Sequence, residues 1–335
     1  MADLLLTANA GDGTISVLRL HREPRAHLEV VTTSGELPGC GTLAVDTERG
    51  LVFAAYKGDP AGIATLRLDR ESGELTEIAR REVPGSMTYL SLTDDHCALL
   101  GVSYGGGFGA VWPVAGERLG EAQSRFEYRN LHCIVSSGES VYAVSLGEDL
   151  IVQFRLVDGA LAPLQPSVAA APTGSGPRHL IIDGANAYLV TEYSGEAIRY
   201  DRADDGALTP AESCFVVDPE AGLSHSRFGA DPEKEHLIWG ADIHRAGDYL
   251  LTSERMSSLI TTNRLLPGGR LGDVVAFTPG ERQPRGFAVS PDGAYAVVVG
   301  EKSTHAALFE IDGDGRLHSL DRVPIGAGAN WVRFA

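Results

Sequence analysis

Ile151-Val-Gln-Phe-Arg-Leu-Val-Asp-Gly-Ala-Leu161 is an alternating strand, a polar turn, and then Gly-x-Leu. The phrase returns along the chain. Thr14-Ile-Ser-Val-Leu-Arg-Leu20 is followed by Leu28, and Ile63-Ala-Thr-Leu-Arg-Leu68 by Gly73-Glu-Leu75. Ala110-Val-Trp-Pro-Val114 precedes Leu119, and Ala197-Ile-Arg-Tyr200 precedes Gly206-Ala-Leu208. The last two copies are Leu259–Leu265 with Gly269-Arg-Leu271, and Ala306–Ile311 with Gly315-Arg-Leu317. Taking the leucine as a marker, the intervals are 47, 44, 42, 47, 63 and 46 residues. A four-stranded propeller blade occupies about 40–50 residues, so seven markers predict seven blades. The long interval places an inserted loop at Cys214–Trp239.

Each phrase follows a hairpin, such as Gly286-Phe-Ala-Val-Ser-Pro-Asp-Gly-Ala-Tyr-Ala-Val-Val-Val299. Asp-Gly between alternating apolar runs is a tight-turn signal. The hairpin supplies strands A and B, and the repeated phrase supplies C and D. The chain begins inside this unit: Leu4-Leu-Leu-Thr-Ala8 reads as a strand B. Its missing strand A is found at the other end, in Asn330-Trp-Val-Arg-Phe334. The expectation is an all-β, seven-bladed propeller, one domain over 1–335, closed by pairing of the terminal strands, which removes open sheet edges.

Composition narrows the function. The 335 residues carry 45 acidic and 28 basic side chains, a net charge of −17, and lysine only at 57, 234 and 302. Such a surface repels nucleic acid and anionic membranes, so neither is an expected partner. No apolar run reaches the ~18–20 residues of a membrane span. The start of the chain lacks the basic and apolar regions of a secretion signal, which predicts a cytoplasmic protein. The four cysteines (40, 97, 133 and 214) form no CxxC pair. They read as free thiols and not as zinc ligands. A monomer or a homodimer is compatible with all of this.

In a propeller, strand A lines the central channel. Because A and B are antiparallel, the start of A and the end of B share one face. Starts of A carry His132, Pro177-Arg178-His179, Asp242 with His244, Pro284-Arg285 and Asn330-Trp331. Ends of B carry Tyr56, Tyr104, Glu192-Tyr193, Arg255 and Glu301-Lys302. Polar groups converging from distant sequence positions into one concavity are the expected site.

Several of these segments also resemble a family. Gly176-Pro-Arg-His179, Ala241-Asp-Ile-His244, Glu254–Ile260, Gln283-Pro-Arg-Gly-Phe287, Gly300-Glu-Lys-Ser303 and Gly326–Trp331 are similar to the propeller-type lactonases. That family includes bacterial 6-phosphogluconolactonases and fungal 3-carboxymuconate lactonizing enzymes. The likeness runs the length of the chain and is strongest from about 174 onward. It implies chemistry on a lactone. In the lactonizing branch the functional set is one His, one Glu and two Arg, which fall by motif on His132, Glu192, Arg178 and Arg255. The chain departs from the family at Arg129-Asn-Leu131, at the glycine-rich Tyr104–Phe108 and in the loop Asp218–Trp239, three segments expected to touch substrate.

Lactone hydrolysis needs a base for water, donors for the oxyanion and an acid for the leaving alkoxide. His132 is suited to the first role, with Glu192 either orienting the imidazole or acting as the base itself. Arg178 and Arg255 suit a carboxylate, a phosphate or the carbonyl oxygen. His179, Asp242, His244, Arg285, Lys302 and Tyr104 are the expected substrate contacts. No Gly-x-Ser-x-Gly elbow is present, which disfavours a covalent serine mechanism. Carboxylates near the axis are few, and neither a metal nor a cofactor is expected. The expected ligand is a small anionic lactone, hydrolysed or, alternatively, formed by cycloisomerisation. A non-catalytic docking propeller is the remaining class.

Overall fold

The computed structural model describes residues 3–335. The chain forms seven antiparallel sheets, each traversed in order from the inside outward. Blade 1 is the seam: Ala329–Phe334 pairs with Asp3–Asn9, followed outward by Thr14–His21 and His27–Ser34. Blades 2 to 7 then run through 42–82, 89–127, 131–170, 177–215, 240–279 and 286–324. The outer strand of blade 3 is broken in two, Arg118–Leu119 and Ser124–Glu127. Every innermost strand packs against the next, including Gly286–Val289 against Ala329–Phe334 and Ala329–Phe334 against Thr42–Asp46, so the ring is closed.

The recurring Gly-x-Leu has a local cause. Gly73, Gly159, Gly206 and Gly315 all adopt positive φ, between 72° and 92°, where a side chain is strained. A Cβ on Gly206 would also lie 2.2 Å from Ser140 Oγ of the preceding blade. Tyrosines in the second strands use this close approach to link neighbouring blades. Tyr142 Oη donates to Gly206 O at 2.6 Å, Tyr188 Oη to Gly269 O at 2.6 Å, and Tyr249 Oη to Gly313 O at 2.8 Å.

Second strands such as Leu51–Tyr56 are buried along their whole length, because both faces pack on neighbouring blades. They therefore read as near-continuous apolar runs. At the seam, Ala329, Trp331 and Val332 are buried, and the Trp331 indole N–H donates to Leu43 O at 2.9 Å. No helix among the described residues is long and apolar enough to cross a membrane.

The inserted loop is slightly shorter than expected. Cys214 and Phe215 complete the outer strand Leu208–Phe215, and the connection runs over 216–239 with only a turn at Pro219–Ala221 and one helical turn at Pro232–Glu235. It joins an outer strand to the next inner strand, so it lies on the face where inner strands begin.

Candidate active site

On that face, at the axis, is a cavity of about 360 Å³. Tyr104, His132, Glu192, Trp239 and Arg255 line it from blades 3 to 6; Arg285, Asn330 and Lys57 complete the ring from blades 7, 1 and 2. Each is at the end of a second strand, the start of an inner strand, or the connection before it.

An alternating ribbon of charge crosses its floor. Arg178 Nε donates to Glu192 Oε2 at 2.8 Å, and Arg255 Nη2 lies 3.1 Å from the same oxygen. Arg255 Nη1 is 3.5 Å from Glu301 Oε2, and Arg285 Nη1 donates to Glu301 Oε1 at 2.7 Å. Burial disfavours the charged form of Glu301, yet the Arg285 and Arg255 charges hold its pKa at about 2. Burial pushes Arg255 down to about 9, opposed by Glu192, so it stays cationic at neutral pH. Its guanidinium also stacks on Trp239, with Cζ 3.7 Å from the ring centroid.

Below the ribbon is a second polar layer. His179 Nδ1 donates to Asp242 Oδ1 at 2.8 Å, and its Nε2 accepts from Arg178 Nη1 at 3.1 Å, which fixes the tautomer. Burial and the Arg178 charge depress the His179 pKa to about 3, so the ring is neutral. Asp242 Oδ2 faces His244 Nε2 at 3.2 Å, and Asp242 is ionised despite its burial.

His132 borders the cavity with its Nδ1 enclosed and without a hydrogen-bond partner. Aromatic packing holds its ring instead, edge-on to Tyr104 at 5.9 Å and tilted to His179 at 5.1 Å. Burial, then the charges of Arg178, Arg285 and Arg255, drive its pKa well below the usual histidine value. His132 is therefore a neutral imidazole in a basic pocket. Among the described residues, no group of three or more His, Cys, Asp or Glu is arranged to hold a metal.

The sequence profile described as "Lactonase, 7-bladed beta-propeller" matches residues 4–334. The chain belongs to this lactonase family. A protein of Serratia proteamaculans named 6-phosphogluconolactonase is 29% identical over 317 residues, 91% of either chain. One of the same name from Sodalis glossinidius is 30% identical over 81% of each. Among solved structures, the periplasmic gluconolactonase of Pseudomonas aeruginosa superposes with a TM-score of 0.87 at 23% identity, covering 100% of this chain and 99% of that one. That likeness carries the fold alone.

Not every expected contact borders the cavity of this lactonase. His132, Glu192, Arg255, Arg285 and Tyr104 do. Arg178, at 1% exposure, is enclosed under Glu192, and His179 and Asp242 form the layer beneath it. His244 packs edge-on to Phe287 beside Asp242. Lys302 pairs with Glu233 of the inserted loop and stands outside the cavity lining. The Glu192 carboxylate pairs with two guanidinium groups, those of Arg178 and Arg255, and makes no hydrogen bond to His132. Of the three divergent segments, Tyr104 and Gly105 line the cavity and the loop contributes Trp239. Arg129 and Asn130 border instead a separate hollow of about 640 Å³, with Tyr193 and Phe228.

Sequence reasoning missed Lys57 and the run Ser86–Thr88, and reached Trp239 only as the end of a loop expected to touch substrate. Lys57 directly follows a strand B end, a position the topology already assigns to this face. Trp239 is in the insertion, where the repeat gives no register.

Proposed function

We propose that the protein hydrolyses a small anionic lactone, carboxylated or phosphorylated, in the manner of a 6-phosphogluconolactonase. One observation carries this reading: a neutral histidine, His132, shares a small cavity with cations that outnumber its carboxylates.

A lactone placed there presents its carbonyl to Arg255, whose guanidinium is held between Glu192, Glu301 and the Trp239 face. A donor fixed in advance stabilises the oxyanion without reorganising during the reaction. His132 takes a proton from water as its oxygen adds to the carbonyl carbon. The imidazolium then returns that proton to the ring oxygen as the C–O bond breaks, leaving a hydroxy acid. Its low proton affinity makes the return favourable: a pocket rich in guanidinium charge expels the proton once it has been taken. Glu192, fixed by Arg178 and Arg255, is the counter-charge that lets guanidinium groups crowd the axis, and not the base.

The test is a panel of sugar lactones, phosphosugar lactones and muconolactones, followed by proton release and product analysis. Acceleration of an anionic lactone above its spontaneous hydrolysis, abolished in His132→Asn, is expected. Acceleration of none would end the reading. Conversion of a muconolactone to a muconate without uptake of water would move the protein to the lactonizing branch.

A further inference from the structure

We infer that Lys57 is the group that receives the substrate's remote anion and so determines specificity; the inference rests on the lactonase reading above. The first observation is its isolation. Lys234 pairs with Asp231 and Lys302 with Glu233, but Lys57 has no carboxylate within ion-pair distance among the described residues. In a chain with 45 acidic side chains, an unpaired ammonium at the mouth of an axial cavity is the exception.

The second is position. Lys57 belongs to blade 2 and Arg255 to blade 6, the widest separation a seven-membered ring offers, with His132 of blade 4 between them. A lactone whose carbonyl meets Arg255 and whose ring oxygen is near His132 directs its far end toward Lys57. The third is charge. Lys57, Arg255 and Arg285 line the cavity with Glu192 as the carboxylate among them, a formal excess of two positive charges. Arg255 is paired with Glu192 and Arg285 with Glu301, so Lys57 is the cation whose charge is left unmatched for the substrate's remote anion.

The backbone holds Lys57 in place. Its N–H donates to Pro38 O at 2.7 Å, and its stem lies over Gly39, where a Cβ would meet Lys57 Cδ at 2.9 Å. Asn330 stands on the same wall, 8% exposed and with Oδ1 unpartnered.

The ligand class is therefore a lactone whose end remote from the ring carries a phosphate or carboxylate. Two measurements test it. In turnover, Lys57→Gln reduces the preference for the phosphorylated over the neutral sugar lactone by about tenfold to a hundredfold, mainly through KM, and Lys57→Arg keeps most of it. In calorimetry, 6-phosphogluconate, glucarate and gluconate are titrated into wild type and Lys57→Gln. Lys57→Gln weakens 6-phosphogluconate or glucarate, whichever wild type prefers, and leaves gluconate the least affected; that preference tells phosphate from carboxylate. An unchanged preference and unchanged binding in Lys57→Gln would overturn the assignment. Binding that depends on Lys57, without turnover of any lactone, would keep it while removing the hydrolase reading.

Discussion

The guanidinium of Arg255 lies 3.7 Å above the Trp239 ring, and the two come from the same end of one antiparallel strand pair: Trp239 just before Gly240–Ala246, Arg255 just after Tyr249–Glu254. Trp239 N–H donates to Glu254 Oε1 at 2.8 Å, which ties the loop end to the same strand. A cation over an indole is worth about 0.5–2 kcal/mol. Trp239→Ala should therefore lower kcat/KM by about 2–30-fold, and Trp239→Phe should restore most of it. Equal losses in both variants would mean that the indole acts through its bulk in the cavity wall, and not as a face for Arg255.

The two arginines that share Glu192 should fail differently. Arg178 is enclosed and bonded to Glu192, His179 and Ala241 O. Removing it leaves His179 Nε2 and part of Glu192 unpaired in a dry interior, so Arg178→Ala should cost about 3–5 kcal/mol of stability. Arg255 reaches the cavity, and Arg255→Ala should cost about 2–4 kcal/mol in transition-state binding, read from kcat/KM. Urea midpoints and rates on both variants separate the roles. A normally stable but inactive Arg178→Ala would return Arg178 to the substrate.

The contrast between these arginines also marks how far the sequence could be read. The blades were legible because the repeat is local: alternation, a Gly turn and a leucine at fixed spacing, seven times over. The seam followed from counting strands. The face and the ring of candidates followed from strand direction. What alternation does not encode is how far each side chain reaches once seven strands converge. Arg178 opens an inner strand and Arg255 follows a second strand, two positions that strand direction puts on one face, yet one points beneath Glu192 and the other beside it. Lys57 was legible by position but lacked a motif, and Trp239 had neither repeat nor motif.

The seam makes its own prediction. Asp3–Asn9 is paired on its inner side only by Ala329–Phe334, and Trp331 is 4% exposed with its indole N–H on Leu43 O of blade 2. Deleting residues 330–335 opens two edges and empties that site, so the protein should be insoluble or lack a cooperative thermal transition. Trp331→Ala, which keeps the strand, should cost about 3–5 kcal/mol. A soluble deletion variant melting at the wild-type temperature would show that the closure contributes nothing.

The last prediction concerns His132 and pH. His132 and His179 are both neutral in the fold, with pKa values below that of an unfolded histidine, about 3 for His179. Below pH ~6.5 the unfolded chain binds protons that the fold refuses, so stability falls as pH falls through that window. Each such histidine contributes up to about 1.4 kcal/mol per pH unit. Asparagine cannot titrate, so His132→Asn should lose less stability than wild type between pH 6.5 and 5, above the range where Glu301 begins to protonate. The rate should separate from stability. His132→Asn should lower kcat by about 10²–10⁴-fold, the usual worth of a general base. Wild-type kcat/KM should show no acid limb near 6.5, because the imidazole is already in its basic form there and remains so at lower pH. A limb at 6.5 together with an unchanged stability slope in His132→Asn would mean that His132 titrates as an ordinary exposed histidine. The basic pocket would then not control its proton, and the base would have to be sought elsewhere in the cavity.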